Sequence, residues 1–478
     1  MNYCKNAFFI TLITILSPSI QCMEQIQGES IENDQKLVIL PITVIGKKEE
    51  SLTPYNYPFY VKNTYFNLLP PQINNKIAQL VLGNTLKSNV KSIKYSENNI
   101  GTISSAIFSP DGKTVLTGSL NSIASLWNLV GNRMVTFKGH IGGIKFIAFS
   151  PNGRTVLTAT FFDIRLWDLE GNLLVTLEGH TGWINSVVFS PNGKTILIGS
   201  DDKTARLWDV KGTLITTLHG HTDALYSVTF SPDGKTILTG SKDKTVCLWD
   251  LGGKLIATLQ GHTRSISPAV FSPDGTTVVT KSYNLPVVEL WNLEGNHIAT
   301  LKGHTDSIYS VIFSPNGKTI LTGSRDGTAR LWGLEGNLIA ILQGHTGSIR
   351  SVVFSPNGKI ILTGSEDETA RLWDLEGNLL ATLEGHTGWI NSVAFSPDST
   401  TVLTGSGDKT ARLWDLEGKL LATLQEHDII DSVTFSSDGK TVLTLQSSYS
   451  YDDCETTVHL WSLDSLQEWT TTGMNPIE

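Results

Sequence analysis

The chain has 478 residues, 36 of them Lys or Arg and 45 Asp or Glu, for a formal charge of −9 and a pI near 5.7. With no cluster of basic residues, this balance excludes a general nucleic-acid binder, because phosphate neutralisation needs a basic face. The length suits two or three ordinary domains, yet a radially repeated architecture grows by adding neighbours, so one large domain is equally compatible.

Lys5 precedes an apolar stretch from Ala7 to Leu16, followed by Ser17-Pro18-Ser19-Ile20-Gln21-Cys22. Charged, apolar and cleavage regions in this order predict a signal peptide over 1–22 with cleavage after Cys22, hence an exported protein of a bacterial envelope or a secreted one. The stretch is too short for a membrane span. If the signal is not used, the protein is cytoplasmic. Outside this segment only Cys247 and Cys454 remain, which argues against a disulfide framework. No Asn-x-Ser/Thr acceptor occurs, which points toward bacterial export rather than a glycosylating pathway.

Residues 23–90 have a different texture. Lys36 to Ile45 is a short apolar run broken by Pro41, and Thr53 to Tyr60 is an aromatic, proline-punctuated loop. Prolines then precede Ile73, Ile77 and Leu80 on one face, with Gly83 beyond, predicting a short helix at about 70–82. Leu68 to Asn84 resembles the opening helix of an F-box, a module that recruits ubiquitin ligase subunits and often precedes repeats of the kind described next. The resemblance covers only these residues, and a helix packed against the following domain is the plainer expectation.

From there the chain repeats. Trp127, Trp167, Trp208, Trp249, Trp291, Trp332, Trp373, Trp414 and Trp461 fall 40, 41, 41, 42, 41, 41, 41 and 47 residues apart. In the unit opening at His304, Ile308 to Phe313 alternates as an inner strand and Pro315-Asn316-Gly317-Lys318 is a tight turn. Thr319 to Thr322 is the second strand, Ala329 to Trp332 the third, and Leu338 to Leu342 the outermost. A period in the low forties with a Gly-His pair and a tryptophan marks four-stranded blades around an axis. The chain is similar to the WD-repeat β-propeller family, and Glu178 to Gly212 matches that pattern almost throughout one unit.

The resemblance implies an all-β fold, most simply one nine-bladed ring over 91–471, with 472–478 as a C-terminal tail. Eight blades plus an irregular unit is the alternative, because units one, two, five and nine are degenerate. Lys91 to Tyr95 or Leu466 to Thr471 would complete the last blade and clasp the ring.

Five units carry a histidine, a serine, an aspartate and the tryptophan. These are His180, Ser200, Asp202 and Trp208; His221, Ser241, Asp243 and Trp249; His304, Ser324, Asp326 and Trp332; His345, Ser365, Asp367 and Trp373; and His386, Ser406, Asp408 and Trp414. The composition suggests a hydrolase triad, but an active site is needed once and this set recurs at one spacing. The resemblance implies a buried structural hydrogen-bond network instead, weakest in units two, five and nine where members are missing. Asp-Gly turns alternate with Asn-Gly between units, so the turn and not the carboxylate is required, and no metal or cofactor motif is found.

Positions that vary between units are better candidates for function. Residues three and five after each network histidine, and the one before each network aspartate, should ring the channel mouth on the top face. They include Trp183, Asn185, Tyr226, Lys242, Tyr309, Arg325, Arg350, Trp389 and Asn391, a mix suited to interface anchors. Glu170 to Val187 and Glu376 to Val393 differ only at Val175 and Ala381, so Trp183 and Trp389 share a duplicated context. The expected function is a non-enzymatic, monomeric scaffold docking a protein or peptide. The alternatives are a secreted hydrolase or lyase using Asp201, Glu366 and Asp431 at the mouth, and an F-box-like adaptor.

Overall fold

The computed structural model describes residues 102–447 and 456–463. The signal peptide expected over 1–22, the short helix expected within 23–90, the two candidate clasp strands, Cys454 and the expected tail lie outside the described residues. Within them, 35 strands form nine antiparallel sheets, eight four-stranded and one three-stranded. Each sheet takes its strands in chain order, from the innermost (a) to the outermost (d), and is one blade.

Blade 6 shows why the sequence folds this way. Its strands are Ile308–Phe313, Thr319–Ser324, Thr328–Gly333 and Leu338–Gln343, close to the strands expected. The a–b turn closes at Gly317, whose φ of +71° suits glycine, while the Asn316 carboxamide accepts from the Lys318 N–H at 3.0 Å. Asp233 fills the same place in blade 4 with the same bond, 3.0 Å to Lys235 N–H, so the turn needs an acceptor of either kind.

Strand b is buried from Ile320 to Ser324, whereas strand d exposes Leu338 and Ile339. The apolar content is thus concentrated where one blade meets the next. Leu321, Ala329, Leu331 and Leu342 of blade 6 pack against Ile349, Val352, Ile361 and Trp373 of blade 7. In each unit the tryptophan of strand c leans on the preceding blade.

Ring closure uses the same contact. Trp127, Ile103 and Val115 of blade 1 form one core with Leu443, Val458 and Leu460 of blade 9, while Trp461 of blade 9 packs on Leu403 and Leu413 of blade 8. Nine inter-blade cores for nine blades close the β-propeller, so the eight-bladed alternative falls.

One irregularity of strand a positions the mouth. Ile308 pairs with Ser324 and Ser310 with Gly323, leaving Tyr309 bulged between them. The same break leaves Asn185, Tyr226, Arg350, Asn391 and Asp431 bulged in their blades. A bulge bends the strand and re-aims the extra side chain, here toward the channel mouth.

Candidate functional site

The repeated polar set is a scaffold element, and its centre is a residue that the sequence reading passed over. In blade 6 the His304 Nδ1–H donates to Asp326 Oδ2 at 2.8 Å, and its Nε2 lies 2.8 Å from the Thr322 hydroxyl. Trp332 Nε1–H donates to the same hydroxyl at 2.9 Å. The chain therefore runs Trp, Thr, His, Asp, with the imidazole neutral and Nε2 accepting.

The serine does not touch the histidine. Ser324 Oγ accepts from the Asp326 N–H at 3.1 Å and donates to the Asp306 carbonyl at 2.9 Å, tying the b–c loop to the loop entering the blade. Blades 4, 7 and 8 repeat the centre at Thr239, Thr363 and Thr404.

Burial governs the ionisation. It pushes the His304 and His386 pKa values down, against the pull of their aspartates. For Asp243 and Asp326, burial alone would raise the pKa. Hydrogen bonds from Thr245, Thr222 N–H and His221, and from Thr328, Thr305 N–H and His304, outweigh it and hold both at about 2. The Cys247 thiol, buried and free in strand c of blade 4, is pushed up to about 11.

Integrity of the network does not follow the sequence expectation. Blade 2, one residue short in Thr160-Phe161-Phe162-Asp163, still brings Asp163 onto His140, while Thr158 links His140 and Trp167. The shortened loop still sets Asp163 against the histidine, because the loss falls in the loop and not in the anchoring strands. In blade 9 the carboxylate of buried Glu426 takes the histidine's place. It accepts from the Thr444 hydroxyl at 2.6 Å, from Gln446 at 2.6 Å and from Trp461 at 3.1 Å, and contacts His459.

Blade 5 lacks the aspartate, and the buried His262 Nδ1 has no partner. Blade 3, which has all four expected residues, carries Ile198 in place of the central threonine. His180 Nε2 and Trp208 Nε1 are both left without partners.

The mouth face is built by the b–c loops and the loops entering each blade, held together by backbone bonds. Lys242 N–H donates to Ala224, Arg325 N–H to Ser307 and Glu366 N–H to Ser348, all at 2.9 Å. Trp183 and Trp389 are each 54% exposed, and Tyr226 and Tyr309 are bulged and exposed. Lys242 and Arg325 project outward, Arg325 lying 3.8 Å from Asp306.

Asn185 and Asn391 are half-buried and committed to the next blade. Their amides donate to the Leu225 carbonyl at 3.1 Å and the Ile430 carbonyl at 3.0 Å. Arg350 is held in place by Glu366 (2.7 Å), with its guanidinium 4.7 Å from the centre of the Trp389 ring. Trp183 instead packs at a tilt against Phe161, ring centres 5.3 Å apart, and Lys145 sits 4.4 Å from the Phe161 ring centre.

Four exposed apolar residues in the loops of blades 1 and 2 were not singled out by sequence reasoning: Leu120, Ile141, Phe161 and Phe162. Their signal was present, since Ile141 stands where later units have threonine and Leu120 and Phe161 where they have mostly polar residues. It was masked because these units read as degenerate. The three carboxylates Asp201, Glu366 and Asp431 belong to blades 3, 7 and 9. Among the described residues no three His, Cys, Asp or Glu side chains are disposed to hold a metal, and no helix is long and apolar enough to cross a membrane.

Comparison with curated proteins gives no match. The family described as WD domain, G-beta repeat, matches residues 85–128, 131–168, 171–209, 212–250, 253–280, 295–333, 336–374, 377–415 and 418–462, well over half the chain. Propellers of this family generally serve as protein-interaction scaffolds. Nine matched repeats on nine closed blades place the chain in the WD-repeat β-propeller family.

Proposed function

We propose that this propeller is a non-enzymatic docking platform holding a protein or peptide on its mouth face. One observation carries the reading. The buried Trp-Thr-His-Asp chain is the same in blades 4, 6, 7 and 8, whereas the bulged and loop-tip positions of those blades vary, and around the ring they present exposed Trp183, Tyr226, Tyr309 and Trp389 beside a pre-set Arg350. Large side chains whose rotamers are already fixed lose little entropy on binding, which is what interface anchors require.

A carboxylate-based hydrolase finds less support. Asp201 accepts from Asn185 at 2.5 Å and Glu366 is paired with Arg350, so both are occupied in holding the mouth. Export through the 1–22 segment is part of the proposal and is tested by N-terminal sequencing of the protein from its own cells.

The docking face is tested by affinity capture with the full chain beside a Trp183→Ala, Tyr309→Ala, Arg350→Ala variant. Specific proteins held by the first and lost by the folded variant support the reading. Retention of the same proteins by both would overturn it.

A further inference from the structure

The mouth face is divided into arcs of different chemistry. On blades 4 to 6 it carries Lys242, Lys244, Arg264, Lys281, Lys302 and Arg325. Against these six cations stand two carboxylates outside the network, Asp223 and Asp306. Asp223 accepts from the backbone N–H of Ala224, and Asp306 reaches Arg325 only at 3.8 Å with both side chains about half exposed or more. Among the described residues Lys242, Lys244, Arg264 and Lys302 carry no ion pair.

This is a local reversal of sign on a chain of net charge −9. Among the described residues of blades 7 to 9 the same loops and bulges hold five carboxylates, Glu366, Glu368, Glu384, Asp428 and Asp431, against Arg350 and Lys409.

Lys281 is an independent sign that blade 5 has been adapted. The position before the strand-b serine is glycine in six blades, as at Gly240 and Gly323, where an added Cβ would crowd Ser227 Oγ or Val352 Cγ1. Blade 5 instead places a lysine there. Its half-buried ammonium donates to the Ile308 carbonyl at 2.9 Å and has no carboxylate partner among the described residues. Three exposed tyrosines, Tyr226, Tyr283 and Tyr309, stand among these cations. On the other flank the basic arc runs into exposed Trp183, Phe161 and Phe162 of blades 3 and 2.

From this partition we infer that the partner contributes a short acidic segment with adjoining apolar residues. Its carboxylates lie on the basic arc of blades 4 to 6, and its apolar part lies on Trp183 and Phe161. The inference rests on the docking reading and deepens it. A long, uniformly charged polyanion does not fit, since it would run onto the acidic arc of blades 7 to 9 or onto the apolar one, and like-charge contact is penalised. Only a segment whose charge ends where the basic arc ends satisfies both boundaries.

The test is a display selection with random peptides of about twelve residues, which when extended can reach across several blades. They are selected on the immobilised full chain, on a Lys242→Glu, Arg264→Glu, Arg325→Glu variant, and on Trp183→Ala. The expected outcome is enrichment of peptides with an Asp/Glu block next to apolar residues on the native chain. The best of these should lose roughly tenfold or more in affinity on charge reversal, with a comparable loss from about 0.05 to 0.3 M salt.

Peptides that are enriched without acidic bias, and released by Trp183→Ala but not by charge reversal, would overturn the acidic-segment inference and leave the docking face standing. Absence of enrichment, or peptides indifferent to both sets of substitutions, would overturn both. Displacement of the selected peptides by a single-stranded oligonucleotide of similar length and equal affinity would overturn the assignment to a protein segment.

Discussion

Glu170 to Val187 and Glu376 to Val393 are nearly the same sequence, running from strand d of blades 2 and 7 into strand a of blades 3 and 8, and the blades they lead into have become different objects. In blade 8, His386 reaches Thr404 at 2.8 Å and Asp408 at 2.7 Å, and Trp414 donates to the same Thr404 at 3.0 Å. In blade 3, His180 keeps Asp202 at 2.7 Å, but Ile198 stands in the threonine's place and two buried nitrogens are unpartnered. At the mouth, Trp389 carries the Arg350 guanidinium while Trp183 carries Phe161. A duplicated stretch thus specifies the strands it covers and the loop between them, while residues supplied by other strands or a neighbouring blade decide whether the network is satisfied and what the tryptophan presents.

Making blade 8 resemble blade 3 should have the largest effect. Thr404→Val keeps the shape and removes the hydroxyl that serves both His386 and Trp414, an expected loss of roughly 2–4 kcal/mol from two buried groups left unpaired. Urea unfolding checks it, and an unchanged midpoint would deny the threonine its central place.

Acid should act on the intact networks in two stages. His304 and His386 have folded pKa values below the ordinary 6.5, so the unfolded chain takes up protons first and stability declines as pH falls below about 6.5. Asp243 and Asp326 are held at about 2 against 3.8, so their contribution is complete above that ordinary value and is lost as pH falls from it toward 2. Unfolding midpoints measured across pH 7 to 2 should fall monotonically. A maximum near pH 4 would contradict the assignment of neutral histidines.

The reverse repair of blade 3 is smaller in effect, because Ile198→Thr gives His180 and Trp208 a partner but surrenders buried methyl groups. A net gain of about 1 kcal/mol is expected, read from the same unfolding curves. Smallest is the mouth pair: a double-mutant cycle on Arg350→Ala and Trp389→Ala should return a coupling of about 0.5–1 kcal/mol, as expected for a partly exposed cation on an indole. No coupling would mean the pair is not pre-set.

The blade boundaries and the turns were legible because each is set by local chemistry that repeats: a turn acceptor with glycine, an alternating strand, a tryptophan every forty-odd residues. Ring closure became visible only in three dimensions, since Trp127 and Leu460 are at opposite ends of the repeat array. The threonine at the centre of the network escaped notice because a threonine in a β-strand already has a sufficient reason to be there. Glu426 and His459 could not be paired from sequence, as the functional exchange of a histidine for a carboxylate needs both residues seen side by side. The apolar residues of blades 1 and 2 were hidden by the irregularity of the units that carry them.

The central claim is that the repeated polar set holds the propeller together and the varying mouth set does not. It is tested most directly by comparing the urea-unfolding midpoint of Thr404→Val with that of the Trp183→Ala, Tyr309→Ala, Arg350→Ala variant. The account predicts a clear drop for the single buried hydroxyl and a shift within about 0.5 kcal/mol per site for the three exposed side chains. A mouth variant that unfolds as easily as Thr404→Val, or more easily, would show that the varying residues are part of the scaffold and would contradict it.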